Sequence, residues 1–111
     1  MSEINNELAA ESKEEIYRAK VNLETAQIAW REVQRFFASG AAVHVSDELD
    51  LVEVAFQMSE DNAEQIQQWM LAGKVAKVTD EQAAAWYETD ALVWAVVVSP
   101  WLLVQSSGNL H

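Results

Sequence analysis

The sequence predicts an α+β domain: an N-terminal helix, then two helix–strand–strand units on one mainly antiparallel sheet with helices on one face. Residues 33–48 and 66–81 align as two copies of one motif, offset by 33 positions. Hydrophobic positions spaced three and four apart predict helices, and alternating hydrophobic positions predict strands. Because one unit cannot bury its apolar face alone, the internal repeat favours a single shared core.

The N-terminal helix is predicted over residues 13–38. Residues 12–15 have the form of a capping box, with a Ser at the cap and a Glu three residues on. The apolar stripe that follows comprises Ile16, Ala19, Leu23, Ala26, Trp30, Val33 and Phe37. The periodicity leaves open a break between Thr25 and Ala29 that would divide the helix into two. Gly40 comes just after the last periodic residue, where a left-handed residue commonly ends a helix.

The first unit continues with a hydrophobic period of two. Val43 and Val45 predict a short strand, and residues 46–50 predict a polar turn. A second strand is predicted from the alternation of Val52, Val54, Phe56 and Met58 with polar or small residues. The two strands would form a hairpin with one apolar face.

The second unit repeats this order with an inserted helix. Capping boxes at Asp61–Glu64 and Thr79–Gln82 predict helices that end at Gly73 and near Glu88. Strands are predicted over Val75–Val78, Leu92–Val98 and Trp101–Gln105. Since Leu92–Val98 is apolar at every position, both of its faces need cover, from helices or from a second subunit.

Length and composition predict one cytoplasmic domain over residues 12–105, with flexible polar segments at 1–11 and 106–111. Half of the 111 residues are hydrophobic, which is enough for a buried core. The chain has no cysteine, so disulfides and thiolate chemistry are excluded. The acidic start is unlike a signal peptide, and the longest apolar stretch, Ala91–Val104, is too short for a membrane span.

The net charge of −11 argues against two classes of partner. All Lys and Arg residues lie within residues 13–35 or at Lys74 and Lys77. Binding to nucleic acid or to anionic lipid needs several cations that converge on one face. We therefore expect neither nucleic acid nor a membrane as partner.

Three segments resemble a family of small bacterial proteins known as domain of unknown function 2288. They are Leu23–Ala26 with Trp30, then Leu49–Ala55, and finally Trp94–Trp101 with Leu103–Gln105. The likeness extends over roughly residues 16–105. It implies a stand-alone cytoplasmic domain, with no assigned activity, cofactor or catalytic residue to transfer.

Residues with catalytic or metal-binding chemistry are few. His44 aligns with Lys77 of the second unit, which favours a solvent-facing strand position over a catalytic one. Carboxylates suited to a hard cation occur at Asp47, Glu48, Asp50, Asp80 and Glu81. Both segments lack the central glycine of a calcium loop and are more typical of turns and helix starts. We therefore assign no catalytic residue, metal ligand or cofactor.

The sequence favours a non-catalytic interaction protein that forms a homodimer, and a different protein partner stays open. Interface candidates are Trp86, Tyr87, Trp94, Trp101 and Leu103. Aromatic residues are enriched at interfaces, and we expect Trp101 to lie on an apolar edge strand. The alternative is a small ligand-binding protein or enzyme with an acidic, aromatic-lined pocket between Asp47–Asp50 and Asp80–Asp90.

Overall fold

The structure is a computed structural model that describes residues 14–21 and 24–107. Within these ranges, five helices and five strands form one α+β domain, so the predicted fold class is confirmed. The helices are α1 (residues 14–21), α2 (Trp30–Ala38), α3 (Leu51–Ser59), α4 (Ala63–Leu71) and α5 (Asp80–Glu88). The strands are β1 (Ala26–Ala29), β2 (Ala42–Val45), β3 (Val75–Lys77), β4 (Leu92–Val98) and β5 (Trp101–Ser106).

The two predicted flexible segments fall largely outside the described residues. This holds for the whole of 1–11 and for 108–111. Ser106, in contrast, ends β5, and Ser107 is buried, with its hydroxyl donating to the Leu92 carbonyl at 2.7 Å. Strand β5 therefore continues past residue 105, and Ser107 packs against β4.

The five strands form one mixed sheet in the order β1-β4-β5-β2-β3. Three neighbouring pairs are antiparallel, and the β2–β5 pair is parallel. β5 is thus the central strand, and β1 and β3 are the edges. The expectation that Trp101 lies on an edge strand is wrong, because β2 pairs with the side of β5 that the hairpin with β4 leaves open.

Helices cover both faces of the sheet, which corrects the prediction of helices on one face. On the first face, α1, α3 and α4 pack over Val45, Val96 and Leu103. On the second face, α2 and α5 pack over Val93, Leu102 and Val104. The alternation of side chains along each strand sends successive residues to opposite cores. The uniformly apolar β4 therefore contributes to both.

The long N-terminal helix is divided, which answers the question that its periodicity left open. Residues 14–21 are helical, and β1 then pairs with β4 before α2 begins at Trp30. The Thr25 hydroxyl donates to the Val21 carbonyl at 2.6 Å, and the Trp30 amide donates to the Ala91 carbonyl at 2.9 Å. These bonds direct the chain along the edge of β4, whose backbone groups would otherwise lack a partner on that side.

Residues 51–59 form helix α3, so the predicted second strand of the first unit is wrong. The Asp50 carboxylate caps the helix by accepting from the Val52 amide at 2.9 Å. Leu51, Val54 and Ala55 face the sheet with helical spacing. The opposite side is half-covered by α1, where the rings of Tyr17 and Phe56 lie 5.6 Å apart. Because α3 is covered by the sheet on one side and by α1 on the other, it has apolar residues on both sides. The resulting sequence alternates between apolar and polar residues as a strand does.

One ion pair joins α1 to the outer side of α3. Arg18 pairs with Glu53, and its guanidinium lies 4.7 Å from the centre of the Phe56 ring. The Gln57 amide donates to the Glu53 carboxylate at 2.7 Å. This hydrogen bond, followed by that from Arg18, lowers the pKa of Glu53 against the opposing effect of burial. The contact keeps α1 against α3 while leaving the ion pair in reach of solvent.

Helices α2 and α4 end as the sequence predicts, at glycines with positive φ. Gly40 has φ +79° and Gly73 has φ +76°. At Gly40 the amides of residues 40 and 41 donate to the carbonyls of Phe37 and Phe36, which is a Schellman motif, and the turn at Gly73 has the same pattern. The predicted helix–strand–strand order is not formed, however, and an internal repeat is not confirmed.

Replacement of Gly73 by Val is expected to lower the free energy of unfolding by more than about 1 kcal/mol. A Cβ at position 73 would meet no atom within 4 Å, so the loss would come from the backbone conformation alone. Gly73→Asn is the matched control, because Asn tolerates the left-handed region and should cost less. Urea denaturation measures both, and equal stability of Gly73→Val and wild type would contradict the prediction.

Candidate functional site

An apolar surface lies on the first face of the sheet where β4 meets edge strand β1. Leu92 is 49% exposed and Trp94 is 40% exposed. Their partners in the ladder are the small or polar residues Ala29 and Gln27. We define the edge surface as Leu92, Trp94 and strand β1. Because β1 offers no large side chain on this face, the two apolar side chains of β4 stay uncovered.

A shallow depression of about 300 Å³ borders the edge surface at Trp94. It is lined by Thr25, Asp50, Leu51, Trp94 and Gln105. The Gln105 amide donates to the carbonyls of Ser46 and Leu49, both at 2.8 Å, and so holds the turn before α3 against β5. Trp94 therefore stands on a well-anchored part of the sheet.

The other interface candidates occupy three different environments. Leu103 is 0% exposed and belongs to the first-face core. Trp86 is half-buried against Trp30, with ring centroids 5.1 Å apart. Tyr87 is 46% exposed and carries the Arg31 guanidinium 4.6 Å from its ring centre. The structure thus does not bring the five candidates together, and Leu103 is committed to the chain's own core.

Trp101, the remaining candidate, lines an apolar groove on the first face, at the end of the sheet away from Trp94. Two adjoining depressions of about 540 Å³ and 190 Å³ share four side chains. The shared residues are Met58, Ile66, Met70 and Trp101. We call these two depressions the Trp101 groove. Local periodicity does not predict this groove, because its residues come from α3, α4 and β5 and only the tertiary fold brings them together.

His44 is half-buried, not solvent-facing as predicted. Its ring lies 5.9 Å from the ring of Trp86 on the second face. Burial lowers the pKa of His44, and the nearby charge of Asp47 opposes this effect. The residue therefore favours the neutral form, packed beneath α5.

Two carboxylates of the predicted acidic pocket line different depressions. Asp50 lines the depression beside Trp94. Asp80 lines a separate depression of about 450 Å³ between α2 and α5, together with Phe37, Tyr87 and Glu88. The described residues therefore do not form the single pocket between the two segments that the sequence predicts. Among residues 14–21 and 24–107, no group of three His, Asp or Glu side chains is positioned to hold a metal ion.

In the part of the chain that the structure describes, the fold is a small α+β domain that exposes apolar side chains at the edge surface and in the Trp101 groove. The chain belongs to the family described as protein of unknown function (DUF2288), whose model matches residues 16–106. The family resemblance seen in the sequence is thereby confirmed.

The fold is also similar to the NMR solution structure of PA1075 from Pseudomonas aeruginosa. The two chains are 44% identical, with a TM-score of 0.72, over 80% of this chain and 82% of that one. No curated protein matches the chain. None of the helices in the described part of the chain is long and apolar enough to cross a membrane.

Proposed function

We propose that the protein is a non-catalytic interaction protein that self-associates as a homodimer through the edge surface. The observation that supports this proposal is the pair of exposed side chains, Leu92 and Trp94, beside an edge strand without a charged residue. Edge strands in soluble proteins are usually protected by charge, proline, a bulge or a covering element. β1, with the sequence Ala-Gln-Ile-Ala, has no charge or proline.

A two-fold symmetric dimer would cover both the backbone edge of β1 and the exposed side chains of Leu92 and Trp94. Two β1 strands placed side by side would continue the sheet across the dimer and pair their outward backbone groups. The contact would also remove apolar area of Trp94 and Leu92 from water, at about 25 cal/mol per Å². The net charge of −11 per chain opposes association. Since salt screens this repulsion, the dimer should tighten as ionic strength rises.

The proposed dimer is tested by measuring the solution mass of the wild-type protein and of the variant Trp94→Glu. Wild-type protein should run at twice the chain mass of 12.5 kDa, and Trp94→Glu should run as a folded monomer that still unfolds cooperatively. Val97→Glu is the matched control, because Val97 is 54% exposed on the opposite face of the same strand. Light scattering at several protein concentrations measures all three. A wild-type protein that stays monomeric at tens of micromolar would refute the proposal.

A second variant tests the strand itself. Ala26 is exposed on β1, so a Lys at this position should fold normally. Its charge would discourage pairing between edge strands. If Ala26→Lys dimerises as tightly as wild type while Trp94→Glu does not, the interface uses the apolar face without strand pairing. That outcome would limit the proposal to Leu92 and Trp94.

The alternative, a small ligand-binding protein or enzyme, has weaker support. Asp50 and Asp80 line different depressions, so each depression would have to act alone. The depression beside Asp80 does combine two aromatic rings with two carboxylates, as an aromatic-lined acidic pocket requires. A cytoplasmic location, and the exclusion of nucleic acid as partner, stay predictions from charge and composition.

A further inference from the structure

The walls of the Trp101 groove are apolar and its floor is closed. The inner depression is floored by Val43 and Val75, which are 8% and 3% exposed. Ile66 and Met70 of α4 form one wall, and Trp101 forms the other. Met70 is 56% exposed, so the groove is open to solvent along α4. Methionine side chains adapt their shape readily, which suits a groove that receives a flexible aliphatic chain.

One cation stands at the inner end of this groove. Lys77 lines the inner depression, and its Nζ lies 5.7 Å from the centre of the Trp101 ring. Within residues 14–21 and 24–107, Lys77 forms no ion pair with a carboxylate. Lys74, three residues earlier, pairs with Glu48 at 3.1 Å. Lys77 is exposed and has no paired carboxylate among the described residues, so its charge is available to an anion that lies in the groove.

We propose that the Trp101 groove binds a small amphipathic monocarboxylate, that is, a free carboxylic acid anion with an unbranched aliphatic chain. The carboxylate would lie at Lys77 Nζ, and the chain would extend over Trp101 toward Met58 and Val98. The outer depression carries the polar side chains of Asp61, Asn62 and Ser99, which would leave the far end of the groove hydrated. The groove thus has a cation at its inner end, apolar walls along its length and polar side chains at its outer end. This arrangement suits a ligand with one anionic head group and a short aliphatic chain.

The net charge of the chain determines which ligands we expect the groove to select. A net charge of −11 repels anions at long range, so the attraction must come from the field of Lys77 at close contact. Short anions without an apolar chain should then fail to bind. Neutral chains of the same length should bind less tightly than the anion.

The probe for this proposal is sodium octanoate, kept below its micelle-forming concentration and followed by ¹H–¹⁵N NMR of the full chain. We expect saturable shifts of the Trp101 indole signal, assigned through Trp101→Phe, with submillimolar affinity. Acetate should give no saturable shift, and octanol should bind more weakly than octanoate. Equal binding of octanol and octanoate, or saturable shifts at Trp94 in place of Trp101, would overturn the proposal.

Two variants separate the head from the chain. Lys77→Gln should weaken octanoate by about two- to fivefold, the size expected for a partly exposed charge pair, and should leave octanol unchanged. Met70→Asp should reduce octanoate binding more than about tenfold, because it adds a like charge to the apolar wall. Leu71→Asp is the matched control: Leu71, the next residue of α4, is 82% exposed and lines neither depression, so binding should be retained. If Leu71→Asp loses as much binding as Met70→Asp while both stay folded, the groove is not the site.

Discussion

Truncation of Trp30 to Ala is expected to lower the free energy of unfolding by about 3–5 kcal/mol, the largest effect of any substitution considered for this protein. Trp30 is 0% exposed at the start of α2. Its ring lies 5.1 Å from that of Trp86 and 6.1 Å from that of Phe37, between ring centroids. Removing it would open a cavity where α2, α5 and the sheet meet, and the neighbouring rings of Phe37 and Trp86 could collapse only partly into it.

The loss should be measured by urea denaturation of Trp30→Ala beside two reference variants. Trp94→Ala deletes the same side chain from an exposed position, so at low protein concentration it should cost far less. Trp30→Phe should fall between the two. The indole Nε1 of Trp30 is buried without a hydrogen-bond partner in the described residues, and Phe removes this unsatisfied donor while keeping most of the ring. Equal losses for Trp30→Ala and Trp94→Ala would show that the second-face core is not packed as described.

Leu103→Ala is expected to cost about 2–5 kcal/mol for a different reason, the central position of its strand. Leu103 lies on β5, between Val96 of β4 and Val43 of β2, and is 0% exposed. Its side chain joins the sheet to α1 and α3 through the first-face core. A cavity there would loosen the contacts of several elements together, and the site can relax little because strands hold it on both sides.

Leu103→Ala also tests whether Leu103 acts in the core or at an interface, since the sequence predicted an interface role for this residue. Folded Leu103→Ala should melt much lower than wild type and keep the wild-type solution mass at low temperature. Val97→Ala, at an exposed position of the adjacent strand, should change stability by less than about 0.5 kcal/mol. Calorimetry and light scattering on the same samples measure both quantities. A Leu103→Ala protein with unchanged stability and a halved mass would contradict the core assignment.

Local signals in the sequence predicted most of the elements correctly. The capping box at Thr79 is formed, with the Gln82 amide donating to the Thr79 hydroxyl at 3.1 Å, and α5 ends at Glu88 as predicted. β4 covers the residues that were predicted for it. Gly40 and Gly73 have the left-handed conformation that their positions indicated. These features depend on residues a few positions apart, so the order of side chains along the chain is enough to specify them.

The wrong assignment at α3 and the question left open at residues 25–29 have a common physical cause. In α3, residues 52 and 56 are half-buried because α1 covers the side away from the sheet, which gave a helix the hydrophobic pattern of a strand. In β1, residues 26–29 continue the helical stripe of their neighbours but pair with β4. In both places a distant segment decides the conformation, and the local pattern is compatible with either outcome.

By itself the sequence determined the class of fold, the acidic and cysteine-free character of the chain, and the family to which it belongs. Only the tertiary structure decided the strand order, the division of the apolar residues between two cores, and which aromatic residues stay exposed. Leu103 and Trp94 illustrate the difference, since both are large apolar residues on strands of the same sheet. Leu103 is covered because β2 and α3 pack beside it, whereas Trp94 lies between Gln27 of β1 and Gln105 of β5 and stays 40% exposed. The exposure of a side chain depends on contacts between segments that are far apart in the sequence. Short-range periodicity does not predict those contacts.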